Sequence, residues 1–249
     1  MSHGVLVTGG SRGLGLEIAR IHVSRGEAVA ILARDAGRLE TAAESLGSLP
    51  GLITTLACDV RDRDGMAGAV AKFASRAGTI RTLYACAGAI DRGEPGGPFD
   101  RSVLETNLLG VVNTVEAWLA TGPAKGARAA IVASFSAFRG LPHIPAYGAS
   151  KAGVAIYAES LRGQLRPRGL NVTTVFLGYL DSELTDRRKS SLLVTPCSKA
   201  AAATARAVDR GATSLAFPTR VRALVLLTRC LPDALYDFLV DAKRARAKE

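Results

Sequence analysis

At 249 residues and 48% hydrophobic content, the chain is long enough for one sizeable core and too apolar for disorder. Its net charge of +10 raises nucleic acid as a partner, but the arginines are spread along the chain and no basic run is interleaved with aromatics. The charge is read instead as attraction for anionic small ligands, with no nucleic acid. Four scattered cysteines without a Cys-x-x-Cys, and histidines only at positions 3, 22 and 143, predict neither a disulfide framework nor a metal site. Cys58 and Cys86 fall in apolar, strand-like runs and are read as small buried hydrophobes.

The N-terminus runs straight into Val5-Leu6-Val7, leaving no room for a signal peptide, and no apolar run approaches a membrane span. A cytoplasmic protein is expected. Val5 to Thr8 reads as a strand, followed by Gly9-Gly10-Ser11-Arg12-Gly13-Leu14-Gly15 and a helical pattern through Leu14, Ile18 and Ile21. A strand, a glycine loop and a helix in that order let backbone N–H groups and a helix N-terminus receive a pyrophosphate. Alternation then continues: strands over Ala28–Ala33, Leu52–Ala57, Thr82–Ala87, Ala129–Ser134, Asn171–Phe176 and Thr213–Phe217. Helices are expected over Ala36–Leu46, Met66–Ala74, Arg101–Leu119, Tyr147–Leu165 and Ser198–Val208. Such alternation predicts an α/β fold, a single Rossmann-type domain over residues 1–249, with a doubly wound parallel sheet covered on both faces.

The end of the second strand carries the cofactor choice. Asp35 stands at the distance where an acid binds a ribose 2′-hydroxyl and favours NAD, but it is better placed as the N-cap of the next helix. Arg34 and Arg12 would instead meet a 2′-phosphate, whose oxygens suit guanidinium forks. NADP(H) is therefore expected.

Tyr147 and Lys151 sit four residues apart, on one face of a helix. A phenol near its ordinary pKa of about 10 is a poor acid or base at neutral pH. An adjacent ammonium favours phenolate and would make the pair a usable proton donor and acceptor.

These motifs together resemble the short-chain dehydrogenase/reductase family. Thr8 to Gly15 looks like its T-G-x-x-x-G-x-G loop, Cys58-Asp59-Val60 its adenine-contacting segment, Asn107 its helix asparagine, and Tyr147-x-x-x-Lys151 its catalytic pair. The likeness runs from residue 5 to about 185. It implies that Tyr147 exchanges a proton with the substrate oxygen while a serine hydroxyl holds that oxygen. It implies too that Lys151 lowers the Tyr147 pKa and grips the nicotinamide ribose, and that Asn107 anchors a water. In the family the serine stands thirteen positions before the tyrosine, which selects Ser134; Ser136, on the same face by strand parity, is the reserve. Cofactor contacts are implied for Gly9, Ser11, Arg12, Gly13, Leu14, Gly15, Arg34, Asp59, Val60, Ala87, Gly88, Tyr147, Lys151, Leu180 and Ser182.

Two departures stand out. The family's Asn-Asn-Ala-Gly is here Ala85-Cys86-Ala87-Gly88, and its Pro-Gly after the sixth strand is Leu177-Gly178. Residues 178–211 are expected to form a substrate loop and lid, where Arg187-Arg188-Lys189 reads as a solvated loop or a grip on an anionic substrate arm. The apolar tail of residues 219–249 (Leu224, Val225, Leu227, Leu231, Leu235, Phe238) is expected to pack on the domain or on a second subunit of a homodimer or homotetramer. Peripheral membrane contact or a hydrophobic substrate mouth are its other readings. The resemblance implies an NADPH-dependent carbonyl reductase, moving hydride between NADP(H) and a ketone or secondary alcohol, with hydrophobic and acyl substrates among those it allows. The alternatives are a silent nucleotide-binding regulator and a membrane-surface protein acting through its tail.

Overall fold

A computed structural model describes residues 3–49, 51–90, 98–181, 194–219 and 230–238. Seven parallel strands form one sheet in the order β3-β2-β1-β4-β5-β6-β7. They are β1 (Gly4–Thr8), β2 (Ala28–Ala33), β3 (Leu52–Ala57), β4 (Ile80–Ala85), β5 (Arg128–Ser134), β6 (Asn171–Leu177) and β7 (Ser214–Phe217). The helices are α1 (Gly13–Ser24), α2 (Ala36–Leu46), α3 (Arg63–Ala77), α4 (Pro98–Leu104), α5 (Gly110–Ala120), α6 (Pro145–Leu165) and α7 (Cys197–Asp209). A short helix over residues 233–238 follows.

Side chains alternate across the strands and build two cores, one on each sheet face. Leu6 of β1 joins Met66, Val70 and Phe73 of α3, Val115 and Trp118 of α5, and Val154 and Leu161 of α6. Its neighbours Val5 and Val7 point the other way, to Ile18 and Val23 of α1, Leu39 and Leu46 of α2, and Ala200 and Val208 of α7. Trp118, expected in a core or an interface, is fully buried, and its Nε1 donates to the Ile80 carbonyl at 3.0 Å. On the other face the buried His22 ring lies between the Glu27 carboxylate and the Tyr84 hydroxyl, the latter at 2.9 Å.

The helix expected over Arg101–Leu119 is continuous but not regular. Residues Glu105–Leu109 form a π-helical turn between α4 and α5. Such wide turns are uncommon and gather at functional sites. This one carries Asn107, which is fully buried.

Strand order reverses at β1, whose chain neighbours run to one side through β2 and β3 while β4 lies on the other. Loops leaving β1 and β4 therefore open a crevice at the carboxyl edge of the sheet, the place where α/β sheets take ligands.

Candidate active site

The crevice begins at the glycine loop. Gly9 has φ +67°, and a Cβ there would lie 2.9 Å from Ala87 Cα, so the β1 and β4 loops touch only because this residue is glycine. Thr8 Oγ1 accepts from the Ala87 N–H at 3.2 Å and joins the same two loops. A Cβ on Gly15 would stand 2.3 Å from the Gly9 carbonyl oxygen, which explains the third glycine. Arg12 is the N-cap of α1; its side chain makes no cap hydrogen bond, and no acid lies in the first turn. A helix start of this kind leaves N–H donors and a positive dipole end for an anion.

Three guanidiniums converge beside it. Arg12 has its pKa lowered by burial and then by the positive charges of Arg38 and Arg34. Asp35 does cap α2, accepting from the Arg38 amide at 3.0 Å. Its acid is thus committed to the helix, and Arg38 is carried on that helix's first turn with its Nε 3.6 Å from the Asp35 carboxylate. Sequence reading passed over Arg38, although its spacing of four from Arg34 was the available signal. Across the crevice, Asp59 receives Arg61 through both Nε and Nη2, the shortest bond being 2.7 Å, with Arg34 3.9 Å away. Burial pushes the Asp59 carboxyl up, but the Arg61 hydrogen bonds and the nearby cations hold it below the usual carboxylate range. Val60 and Leu14 turn their side chains into the cores, Val60 against Gly110, so they can offer a ligand only backbone.

The reactive groups lie where β5 ends and α6 begins. Ser134, the last residue of β5, lies close enough to Tyr147 for its hydroxyl to lower the phenol's pKa. Its Oγ also accepts from the Ser136 amide at 3.2 Å. Ser136 is buried, and its own hydroxyl has no protein partner. Of the two serines, Ser134 is the one whose hydroxyl acts on the Tyr147 pKa. One turn along α6, Lys151 is 4% exposed, with Nζ 2.8 Å from the Val132 carbonyl and 5.8 Å from the Tyr147 ring centroid. A Cβ on Gly88 would lie 3.8 Å from that Nζ, so the β4 loop borders the lysine directly.

One expectation is corrected here. Tyr147 has its pKa raised, by burial first, with the Ser134 hydroxyl pulling it partly back and the Tyr179 phenol pushing it up. Lys151 is not among the groups that move it, and burial brings the ammonium itself down to about 8. The expected burial of Cys86 and Cys58 is also partial, although burial still pushes the Cys86 thiol up to about 12.

Asn107 is held at both ends. Its Oδ1 accepts from the Ala89 amide at 2.7 Å, and its Nδ2 donates to the Ala89 carbonyl at 2.9 Å and to Ser150 Oγ at 3.0 Å. Ser150 in turn donates to the Tyr147 carbonyl at 2.8 Å. The asparagine therefore ties the β4 loop to the first turn of α6, through a serine that no motif singled out. Leu180 pairs with Thr195 just beyond β6. Of the stretch expected to form loop and lid, Cys197–Asp209 is α7, buried against α1. Ser182, Arg187, Arg188, Lys189 and the tail residues Leu224, Val225 and Leu227 lie outside the described residues.

The family profile of the short chain dehydrogenases matches residues 3–192. The chain belongs to that family. An uncharacterized oxidoreductase of Mycobacterium tuberculosis is 31% identical over 214 residues, covering 83% of this chain and 84% of the relative. A sulfoacetaldehyde reductase of Chromohalobacter salexigens is 32% identical over 192 residues, 74% of this chain and 75% of that one. Among solved structures, a variant of actinorhodin polyketide ketoreductase with NADPH superposes with a TM-score of 0.77 at 26% identity, covering 87% of this chain and 95% of that one. This short-chain dehydrogenase is thus an oxidoreductase by family. Among its described residues no helix is long and apolar enough to cross a membrane.

Proposed function

We propose that the protein is an NADPH-dependent carbonyl reductase acting on a ketone or aldehyde. The observation that carries the reading is the buried Lys151 ammonium one helical turn from Tyr147, 5.8 Å from its ring, with Ser134 near enough at the end of β5 to lower the pKa of that phenol. The solved relative with NADPH and the sulfoacetaldehyde reductase support the same chemistry by likeness.

The residues fit a dinucleotide phosphate. The uncapped start of α1 and the glycine cradle suit a pyrophosphate, while Arg12, Arg34 and Arg38 suit a 2′-phosphate. Asp59, Ala87 and Gly88 line the path between that end and Lys151. When bound, the nicotinamide supplies the hydride.

The chain's own groups do the rest. The Ser134 and Tyr147 hydroxyls would both donate to a substrate oxygen as negative charge grows on it. A Tyr147 pKa held high keeps the phenol protonated through neutral pH, so it is stocked with the proton that carbonyl reduction consumes. Lys151, buried and partly relieved of its proton near pH 8, sits one helical turn away as the source of positive field. Asn107 and Ser150 hold the tyrosine's backbone in register with Ala89.

The test is a carbonyl panel followed by loss of NADPH absorbance, run in parallel with NADH. NADPH consumption with at least one carbonyl is expected, with Tyr147→Phe losing about a thousandfold or more in kcat. Turnover that survives this change removes Tyr147 from the chemistry.

A further inference from the structure

The segment joining Ser134 to Tyr147 has an unlooked-for partner. Phe138 anchors its near side on β6, its ring 4.8 Å from that of Phe176. Next to it, Arg139 reaches out to the short helix of residues 233–238. Its Nη2 donates to Asp233 at 2.9 Å, and its guanidinium lies 4.3 Å from the Tyr236 ring centroid. The Tyr236 hydroxyl donates to the Gly140 carbonyl at 2.6 Å. The three contacts bridge more than ninety positions of sequence and converge on two consecutive loop residues.

Among the described residues little else holds that helix. Pro232, Asp233, Ala234, Leu235, Asp237 and Phe238 are exposed, while Tyr236 is half-buried. Apolar burial, the usual anchor of a short helix, is nearly absent. Its seat therefore depends on Arg139. The loop depends on the same link in return: Phe138 bonds back to Phe135 and Ile144 back to Leu141, but the Gly140 carbonyl between them is taken by Tyr236. From Gly140 the path runs through the Leu141–Ile144 turn to the Gly148 amide, which donates to the Ile144 carbonyl in the first turn of α6. Tyr147 stands in that turn.

We infer that Arg139 is a positioning residue that latches the C-terminal helix onto the Ser134–Tyr147 loop, so that the helix controls how well a carbonyl substrate is held without taking part in the chemistry. The inference deepens the carbonyl-reductase reading and rests on it for its kinetic part. The Arg139–Asp233 pair is weak, since Asp233 is 91% exposed. A latch of this strength opens and closes within the lifetime of the native state.

The test uses the full chain with Arg139→Ala, Tyr236→Ala, the double variant and Tyr236→Phe, read by amide hydrogen exchange and by steady-state kinetics. Exchange at Ile144 and Gly148 is expected to quicken about tenfold in both single alanine variants, while core-strand amides keep their rates. The KM for the carbonyl is expected to rise about fivefold, with kcat and the KM for NADPH within about twofold. The double variant should do no more than the worse single, because both changes open one latch. Tyr236→Phe, which keeps the ring under Arg139, should fall between wild type and Tyr236→Ala. Unchanged exchange at Ile144 and Gly148 overturns the inference, as do multiplying effects in the double variant or a loss carried by kcat. If Arg139→Ala does not fold, Tyr236→Phe and Asp233→Asn decide by the same readings. If no carbonyl is turned over by the wild type, the proposed function fails, and the exchange arm alone still decides the latch.

Discussion

Lys151 gives its hydrogen bond to the Val132 carbonyl at 2.8 Å, with its Nζ 5.8 Å from the centre of the Tyr147 ring. The two residues are neighbours rather than an ion pair. Each is shifted by burial in its own direction, and both shifts keep the site neutral: the phenol holds its proton longer and the ammonium loses its proton sooner.

That relation makes stability depend on pH. Lys151 stands near 8 in the folded chain against an ordinary 10.5, so the unfolded chain binds more protons between those values. Stability must then rise with pH across that window, and Lys151 contributes a rise of about 1 kcal/mol between pH 7 and 9. Below pH 8 the folded lysine is charged and its burial cost is fully felt. Cys86 works in the opposite sense above pH 9, since its thiol is pushed up from 9 to about 12. The measurement is urea unfolding of wild type and Lys151→Met at several pH values, compared as a difference. If the difference is flat from pH 7 to 9, the buried-ammonium account fails.

The basic cluster predicts cofactor preference. Arg34→Ala and Arg38→Ala should each weaken NADPH binding about tenfold, the lower end for a charge-assisted contact, because both guanidiniums are more than half exposed. NADH binding should stay within about twofold. Calorimetric or fluorescence titration of both cofactors checks this, and equal losses for the two would show that the arginines do not read the 2′-phosphate.

The fold was legible because strands and helices carry different apolar periods, and Leu6 against Val5 and Val7 shows the same period-2 split in space. Asp35 was legible as a cap because it precedes an apolar-periodic run. The π turn at Glu105–Leu109 was not, since nothing in that residue set departs from ordinary helix. Ser150 was also hidden: its role arises from a contact with Asn107, 43 positions away. The direction of the Tyr147 shift could not be read from a spacing of four, because burial decides it and burial belongs to the whole fold. Arg38, by contrast, is readable from its spacing of four to Arg34.

Gly15→Ala separates sterics from propensity. Alanine inside a helix should gain about 1 kcal/mol over glycine. Here its Cβ would fall 2.3 Å from the Gly9 carbonyl oxygen and 3.1 Å from Gly10 Cα, both backbone atoms that cannot swing away. The clash should win, with a net loss of about 2 kcal/mol or more and displacement of the loop from the start of α1. Thermal unfolding and NADPH titration check both parts. A variant as stable as wild type with unchanged affinity would falsify the close packing of Gly9 on Gly15.

Asn107→Asp is the sharpest probe of the link between the β4 loop and α6. Aspartate keeps the oxygen that accepts from the Ala89 amide, but it has no N–H for the Ala89 carbonyl or for Ser150 Oγ. An ionised carboxylate at a position with no solvent exposure would also face the Ala89 carbonyl at close range. Asn107→Ala loses three hydrogen bonds and leaves the buried Ser150 hydroxyl and the half-buried Ala89 backbone short of a partner, a cost of about 2 to 4 kcal/mol. Asn107→Asp should cost at least as much above neutral pH and less below it, as protonation returns one donor and removes the charge. Activity should fall further than stability in both, because Ser150 loses the bond that steadies it beneath the Tyr147 carbonyl. Unfolding free energies and kcat across pH 5 to 8 give the comparison. If the aspartate variant is indifferent to pH, Asn107 is not the buried tie between these two elements.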